Sequence, residues 1–272
     1  MEFLHTLYTA TNASTSLWHF AAAGGVVGLI VGLTGVGGGS LMTPILTLGF
    51  GVQPHLAVGT DLVFAAATKG VGTAVHGIRG TVRWAAVKSL LWGSIPAACL
   101  TLIALFLIGT EHAALNTVIK RVIGVSVLLT VIALVFRPRM LAWLRAHPAY
   151  ILSTLQRHRV MIAGGAIIGV LVTVSSIGAG AIGATFLLLV NPEWEPAEVA
   201  GTDIAYAVPL TLVAGAGHAA LGTVDYGLLT GLLLGSVPGI ALGSYVARAL
   251  PERLIRSVLI AVLTFVGLKL VF

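Results

Sequence analysis

The sequence predicts an all-α polytopic membrane protein built as two inverted repeats, each a glycine-broken helical hairpin followed by three transmembrane helices. Three observations carry the prediction: too little charge for a water-facing surface, apolar runs long enough to span a bilayer, and an internal duplication. Of 272 residues 57% are hydrophobic and only 9% charged, with a mean hydropathy of +1.03. A soluble chain is normally about a quarter charged, so lipid is the solvent that suits this composition.

The elements follow in order. The first sixteen residues hold Glu2 and His5 but no Lys or Arg, so no secretory signal is expected and the N-terminus is read as mature protein. An apolar run at 18–33 meets the glycine-rich break Thr34-Gly35-Val36-Gly37-Gly38-Gly39-Ser40, and a short run follows at 41–50. Spans of roughly 20 residues are expected near 56–78, 84–108 and 113–136. This first repeat occupies 1–136, with its broken hairpin at 18–50. A basic connector at 137–159 is placed in the cytoplasm. The second repeat, 160–272, has its hairpin at 160–190, broken at Ser175-Ser176-Ile177-Gly178-Ala179-Gly180, and spans near 197–221, 226–247 and 254–272. The runs at 41–50 and 181–190 are too short to cross and are expected as half-helices or re-entrant segments.

The duplication shows as a gapless register. A shift of 142 positions places Pro54 on Pro196, Gly59-Thr60-Asp61 on Gly201-Thr202-Asp203 and His76 on His218. It also places Gly80-Thr81-Val82 on Gly222-Thr223-Val224, Gly93-Ser94 on Gly235-Ser236 and Pro96 on Pro238; at 141, Gly37-Gly38-Gly39 falls on Gly178-Ala179-Gly180. Fixed-period self-similarity of this kind marks a repeated structural unit. If each broken hairpin returns to its starting side, each repeat crosses three more times and the second copy is inverted. With the N-terminus outside, Arg79, Arg83, Lys88, Arg137, Arg139, Arg145, Arg157, Arg159, Arg248, Arg253 and Arg256 lie in the cytoplasm, against Lys120, Arg121 and Lys269 outside. That bias obeys the positive-inside rule, in which the inward Glu193, Glu195 and Glu198 count little.

Several function classes drop out. The net charge of +6 sits in short gaps between apolar runs and forms no nucleic-acid stripe. Cys99 is the one cysteine, so no intrachain disulfide forms, and it is read as helix packing. There is no phosphate-binding lysine loop, no metal-ligand spacing and no nucleophile elbow. No cofactor or metal is expected, and without an ATP site any transport would have to be driven by a gradient or run downhill.

The candidate residues cluster in two sets. Irregular backbone at membrane depth is tolerated only where protein buries it or it lines a cavity, and paired breaks in a duplicated membrane protein point to a substrate site. The helix after each break offers amides and a positive dipole end to an anion. Thr34, Gly37, Gly38, Gly39, Ser40, Ser175, Ser176, Gly178 and Gly180 are therefore the substrate-binding candidates, with tight helix crossing as the alternative role for the glycines. Ionisable residues within spans form the second set. On one helix, Lys69 sits about 80° and His76 about 60° around from Asp61 at 100° per residue, so the three share a face. Asp203 and His218 repeat the outer two, while Thr211 replaces Lys69. Lys69 either attracts an anion or pairs with Asp61 or Asp203. Those aspartates, with His76 and His218, serve coupling or structure. Pro96 and Pro238, inside spans, are candidate hinges. Trp18, Trp84, Trp92, Trp143 and Trp194 mostly flank spans as interfacial anchors.

The segment Gly32-Leu33-Thr34-Gly35-Val36-Gly37-Gly38-Gly39-Ser40, with Ala57-Val58-Gly59-Thr60-Asp61 and Gly93-Ser94-Ile95-Pro96, resembles the TauE/SafE family of sulfite exporters. So does the repeat in the second half, and the likeness runs from about residue 20 to 272. Gly178-Ala179-Gly180 departs from it, being less glycine-rich than the first-half counterpart. The resemblance implies an inner-membrane permease for small sulfur anions such as sulfite or organosulfonates. The function expected is a secondary carrier working by alternating access, not an enzyme. A passive anion channel and an intramembrane enzyme using His76, His218 and the aspartates are the alternatives. Its partners are a small anionic substrate and the bilayer, with no nucleic acid, and a homodimer is compatible with the sequence.

Overall fold

The computed structural model describes residues 18–30, 33, 39–78, 80–109, 112–147, 152–247 and 251–272. Every regular element among them is an α-helix: α1 (Trp18–Ile30), α2 (Gly39–Gly49), α3 (Pro54–Ile78), α4 (Trp84–Ile108), α5 (Ala113–Ala146), α6 (Thr154–Ser175), α7 (Ala181–Val190), α8 (Pro196–Ala220), α9 (Tyr226–Ala247) and α10 (Glu252–Val271).

Local chemistry starts and stops these helices alike in both halves. Pro54 and Pro196 occupy the first helical position, where a missing N–H costs nothing. After α3 and α8 the chain reverses at Gly80 (φ 68°) and Gly222 (φ 73°), left-handed positions that favour glycine. The Ser153 hydroxyl accepts the Gln156 amide while the Gln156 side chain accepts the Ser153 amide, closing a capping box on α6. The bounds keep the sequence register: α2 and α7, α3 and α8, and α4 and α9 each begin 142 positions apart. Residues 137–146, expected in the connector, continue α5 as helix past Pro138. The helix outlasts its apolar run because intrahelical bonds satisfy its backbone in any solvent.

The halves meet through exchanged contacts. Gly59, near the start of α3, abuts Thr223 just beyond α8; Gly201, near the start of α8, abuts Thr81 just beyond α3. Helices α3 and α8 therefore run antiparallel. Two hydrogen bonds repeat the exchange: the Arg83 amide donates to Thr202 Oγ1 and the Asp225 amide to Thr60 Oγ1, both at 3.0 Å. The outer helices swap as well. Gly93 of α4 presses on Ile162 and Ala166 of α6, while its counterpart Gly235 of α9 presses on Ala21 and Gly25 of α1. At both crossings a methyl group in place of the glycine hydrogen would overlap a backbone carbonyl oxygen. Small residues let helices approach this closely where lipid offers no hydrophobic drive.

Burial separates the core from the lipid face. Helices α4, α5 (through Leu144), α6, α8 and α9 (through Gly243) are long and apolar enough to cross a membrane. In its most apolar stretch α8 is 61% buried and α4 only 22%, so α8 is central and α4 faces outward. Trp92, Leu100, Phe106 and Leu107 of α4 are all at least 67% exposed. Such a surface would aggregate in water and is at home in hydrocarbon.

Gly93→Ala and Gly235→Ala should each lower thermal stability in detergent, at a cost of about 1–3 kcal/mol from overpacking. Gly77→Ala, with nothing within 4 Å of the added carbon, should leave melting unchanged or raise it. Equal melting of all three proteins would refute the exchanged crossings.

Candidate functional site

The second glycine break lies inside the protein, against side chains from the opposite half. Helix α6 ends at Ser175, and Ser176 turns into the left-handed region (φ 58°). Gly178 (φ 142°) and Gly180 (φ 146°) carry the chain into α7 through a conformation that L side chains rarely adopt. The Ser175 hydroxyl is consumed by this turn: it donates to Leu171 O at 2.6 Å and accepts the Ile177 amide at 3.2 Å. Ser176 is buried, and its hydroxyl has no hydrogen-bond partner.

Lys69 reaches across from α3. Its ammonium donates to Ala179 O at 2.8 Å, within the break and 110 positions along the chain. Among the described residues no carboxylate lies within 4 Å of it, since their ion pairs are Arg83–Glu198 and Arg157–Glu193. Asp61 and Asp203 both act on Lys69 at longer range. Lys69 is the one buried lysine or arginine among the described residues, and Thr211, its counterpart, bonds the Ala207 carbonyl of its own helix at 2.8 Å.

The two aspartates occupy matching positions and have different surroundings. Asp61 is fully buried; its Oδ2 accepts the Thr43 hydroxyl of α2 at 2.5 Å, and Ser176 lies on its other side. Asp203 turns instead to the start of α7. The Gly180 amide faces its carboxylate, and its Oδ1 lies where a side chain on Gly183 would stand. Thr185, which the 142-position shift places on Thr43, is buried with its hydroxyl unpartnered.

Among the described residues six buried side-chain oxygens have no hydrogen-bond partner: Asp61 Oδ1, Ser94 Oγ, Ser176 Oγ, Thr185 Oγ1, Asp203 Oδ1 and Tyr206 OH. Buried polar atoms are nearly always paired, and three of these, Ser176 Oγ, Asp61 Oδ1 and Asp203 Oδ1, lie at or against the second break. Thr43, which bonds Asp61, and Thr185, Ser94 and Tyr206, whose buried oxygens have no partner, were not singled out by sequence reasoning. For the threonines a signal existed, because they match in the same register as the aspartates.

The histidines do a different job. His76 Nδ1 meets Thr81 Oγ1 and His218 Nδ1 meets Thr223 Oγ1, each at 2.8 Å, clamping the helix end to the turn beyond it. His218 Nε2 also meets Thr173 O at 2.9 Å. A carbonyl only accepts, so Nε2 carries the proton there. Pro96 and Pro238 sit within α4 and α9, which continue past them. Thr34, Gly37 and Gly38 lie outside the described residues. Gly39 opens α2, and Ser40 follows it in the first turn.

Long apolar helices around a buried polar break define the class: a multi-pass membrane protein with an internal polar site. The family described as Sulfite exporter TauE/SafE matches residues 20–270, and the chain belongs to that family. The curated relatives include the probable membrane transporter protein YjnA of Bacillus subtilis (strain 168), 36% identical over 245 residues, which cover 90% of this chain and 96% of that protein. Another is the probable membrane transporter protein YdhB of the same organism, 26% identical over 91% of this chain and 97% of that protein. A probable membrane transporter protein of Xylella fastidiosa (strain 9a5c) is 33% identical over 39% of this chain and 41% of its own. No solved structure matches the chain. The protein is a membrane transporter of this family.

Thr43→Val should strand a buried carboxylate oxygen and cost about 1–3 kcal/mol. Thr185→Val removes a hydroxyl that has no partner and should be near neutral. Thermal melts in one detergent compare them; equal losses would show that both halves hold their aspartates alike.

Proposed function

We propose that the protein is a secondary carrier of a small oxyanion, sulfite or an organosulfonate, in the inner membrane. The observation that carries this reading is the Lys69 ammonium seated on the Ala179 carbonyl, beside an α7 N-terminus that has no side-chain cap. A buried cation and helix-start amides are the two elements that replace an anion's water. The anion would bind between Lys69, Gly178, Gly180 and Ser176. The sulfite in the family's description fits this chemistry, being small, charged and rich in acceptor oxygens.

Alternating access is supported by the antiparallel course of α3 and α8. Together with the inward bias of basic residues, it fits repeats inverted in the bilayer that rock about a midplane site. The 137–159 segment would then be cytoplasmic, and Pro96 and Pro238 would serve as hinges.

Labelled sulfite flux in proteoliposomes tests the site. Lys69→Gln should reduce uptake roughly tenfold or more, the equivalent of one lost charge-assisted hydrogen bond. Unchanged flux in a folded variant would rule the site out. Unlabelled sulfite on the far side should accelerate exchange in a carrier; lack of acceleration, with flux far above carrier rates, would favour a passive channel.

A further inference from the structure

Asp203 places its carboxylate beside the donors that a substrate anion needs. It faces the Gly180 amide and lies in the field of Lys69. It is only 5% exposed, and its Oδ1, which has no partner, points into the first turn of α7, where a methyl group on Gly183 would overlap it. The repeat counterpart behaves otherwise: Asp61 is bound by the Thr43 hydroxyl of α2. The matching hydroxyl on Thr185 is buried and unused. One sequence pair is thus joined in the first half and parted in the second.

We infer that Asp203 is an internal stand-in for the transported anion, displaced only when it takes up a proton, so that one proton moves with each anion. The inference rests on the proposed reading of the α7 start as the anion site. Two anionic groups cannot share those donors: in a poorly hydrated interior, like charges at contact distance cost several kcal/mol. A proton from the aqueous side binds a carboxylate oxygen of Asp203, the neutral acid no longer competes for the Gly180 amide or for the field of Lys69, and the anion takes its place. The added anion and the added proton cancel, leaving the local charge as it was. The released acid has a partner waiting, because Thr185 stands to Asp203 as Thr43 stands to Asp61. The charged and titratable groups facing Asp203 are Lys69 from α3, Arg137 from α5 and Tyr206 from α8. Asp61 acts on the same Lys69, and Ser94 of α4 faces Tyr206.

The test uses the purified full chain in weakly buffered detergent with methanesulfonate, whose charge is constant between about pH 6 and pH 8. Binding is followed by thermal stabilisation and proton uptake by a pH-indicator dye. Linkage predicts about one proton taken up per anion bound, and an affinity that falls by up to about tenfold per unit as pH rises and Asp203 loses its proton. If sulfite alone binds, the same uptake is read after subtracting the protons sulfite itself exchanges. Binding without uptake or pH dependence overturns the coupling and leaves the anion site standing. Failure of both anions to bind overturns both. Asp203→Asn should bind the anion without proton uptake; undiminished uptake would place the proton elsewhere and overturn the assignment. The wild-type uptake decides even where this variant fails to fold.

Discussion

The architecture depends on one helix pair. Because α3 and α8 lie antiparallel, with Gly59 against Thr223 and Gly201 against Thr81, each half carries its buried residues into the other. Lys69 can then reach Ala179 O, and Ser176 can stand beside Asp61. Broken backbone cannot face lipid, since its unpaired amides and carbonyls would find no partner there. Lys69 of α3 and Asp203 of α8 reach the second break, with Ser126 of α5 against Ser175, so the helix pair and α5 together keep the polar backbone inside the protein. The glycines of α1, α4, α6 and α9 join the outer helices to one another, α4 to α6 and α9 to α1, by letting backbones touch.

A duplicated chain need not be symmetric in detail, and this one is not. The Thr43–Asp61 bond is made while Thr185 and Asp203 are apart, although the four residues share one register. The asymmetry involves α2 and α7, the short helices that begin at the glycine breaks. Two such states of one motif fit the rocking carrier proposed above, in which each half would take the other's arrangement in turn. Lys69 has only Thr211 as its counterpart, so a single cation would serve both aspartates.

Much of the fold was legible because the determinants are periodic and local. Pro54 and Pro196 start helices, Gly80 and Gly222 end them, and apolar length sets the spans. The 142-position register predicted helix starts that the structure places the same distance apart. The site was legible only in outline. Asp61, Lys69 and Asp203 stood out because charge is costly in lipid, but their partners lie far off in sequence. Nothing local says that Lys69 meets Ala179, or that Asp203 turns to Gly180 while Asp61 turns to Thr43. Those choices are made by how α2 and α7 sit on α3 and α8, which hydropathy does not encode. Ser175 illustrates the same limit: its hydroxyl, a natural ligand candidate, is taken up by the turn it helps to form.

The most direct measurement is an experimental structure with selenite, a heavier relative of sulfite whose selenium gives an anomalous signal. The account predicts a selenium peak within hydrogen-bonding distance of Lys69 Nζ and the first amides of α7, with Asp203 moved aside. Selenite found only at surface arginines, or residues 176–180 wound into continuous helix facing lipid, would contradict it.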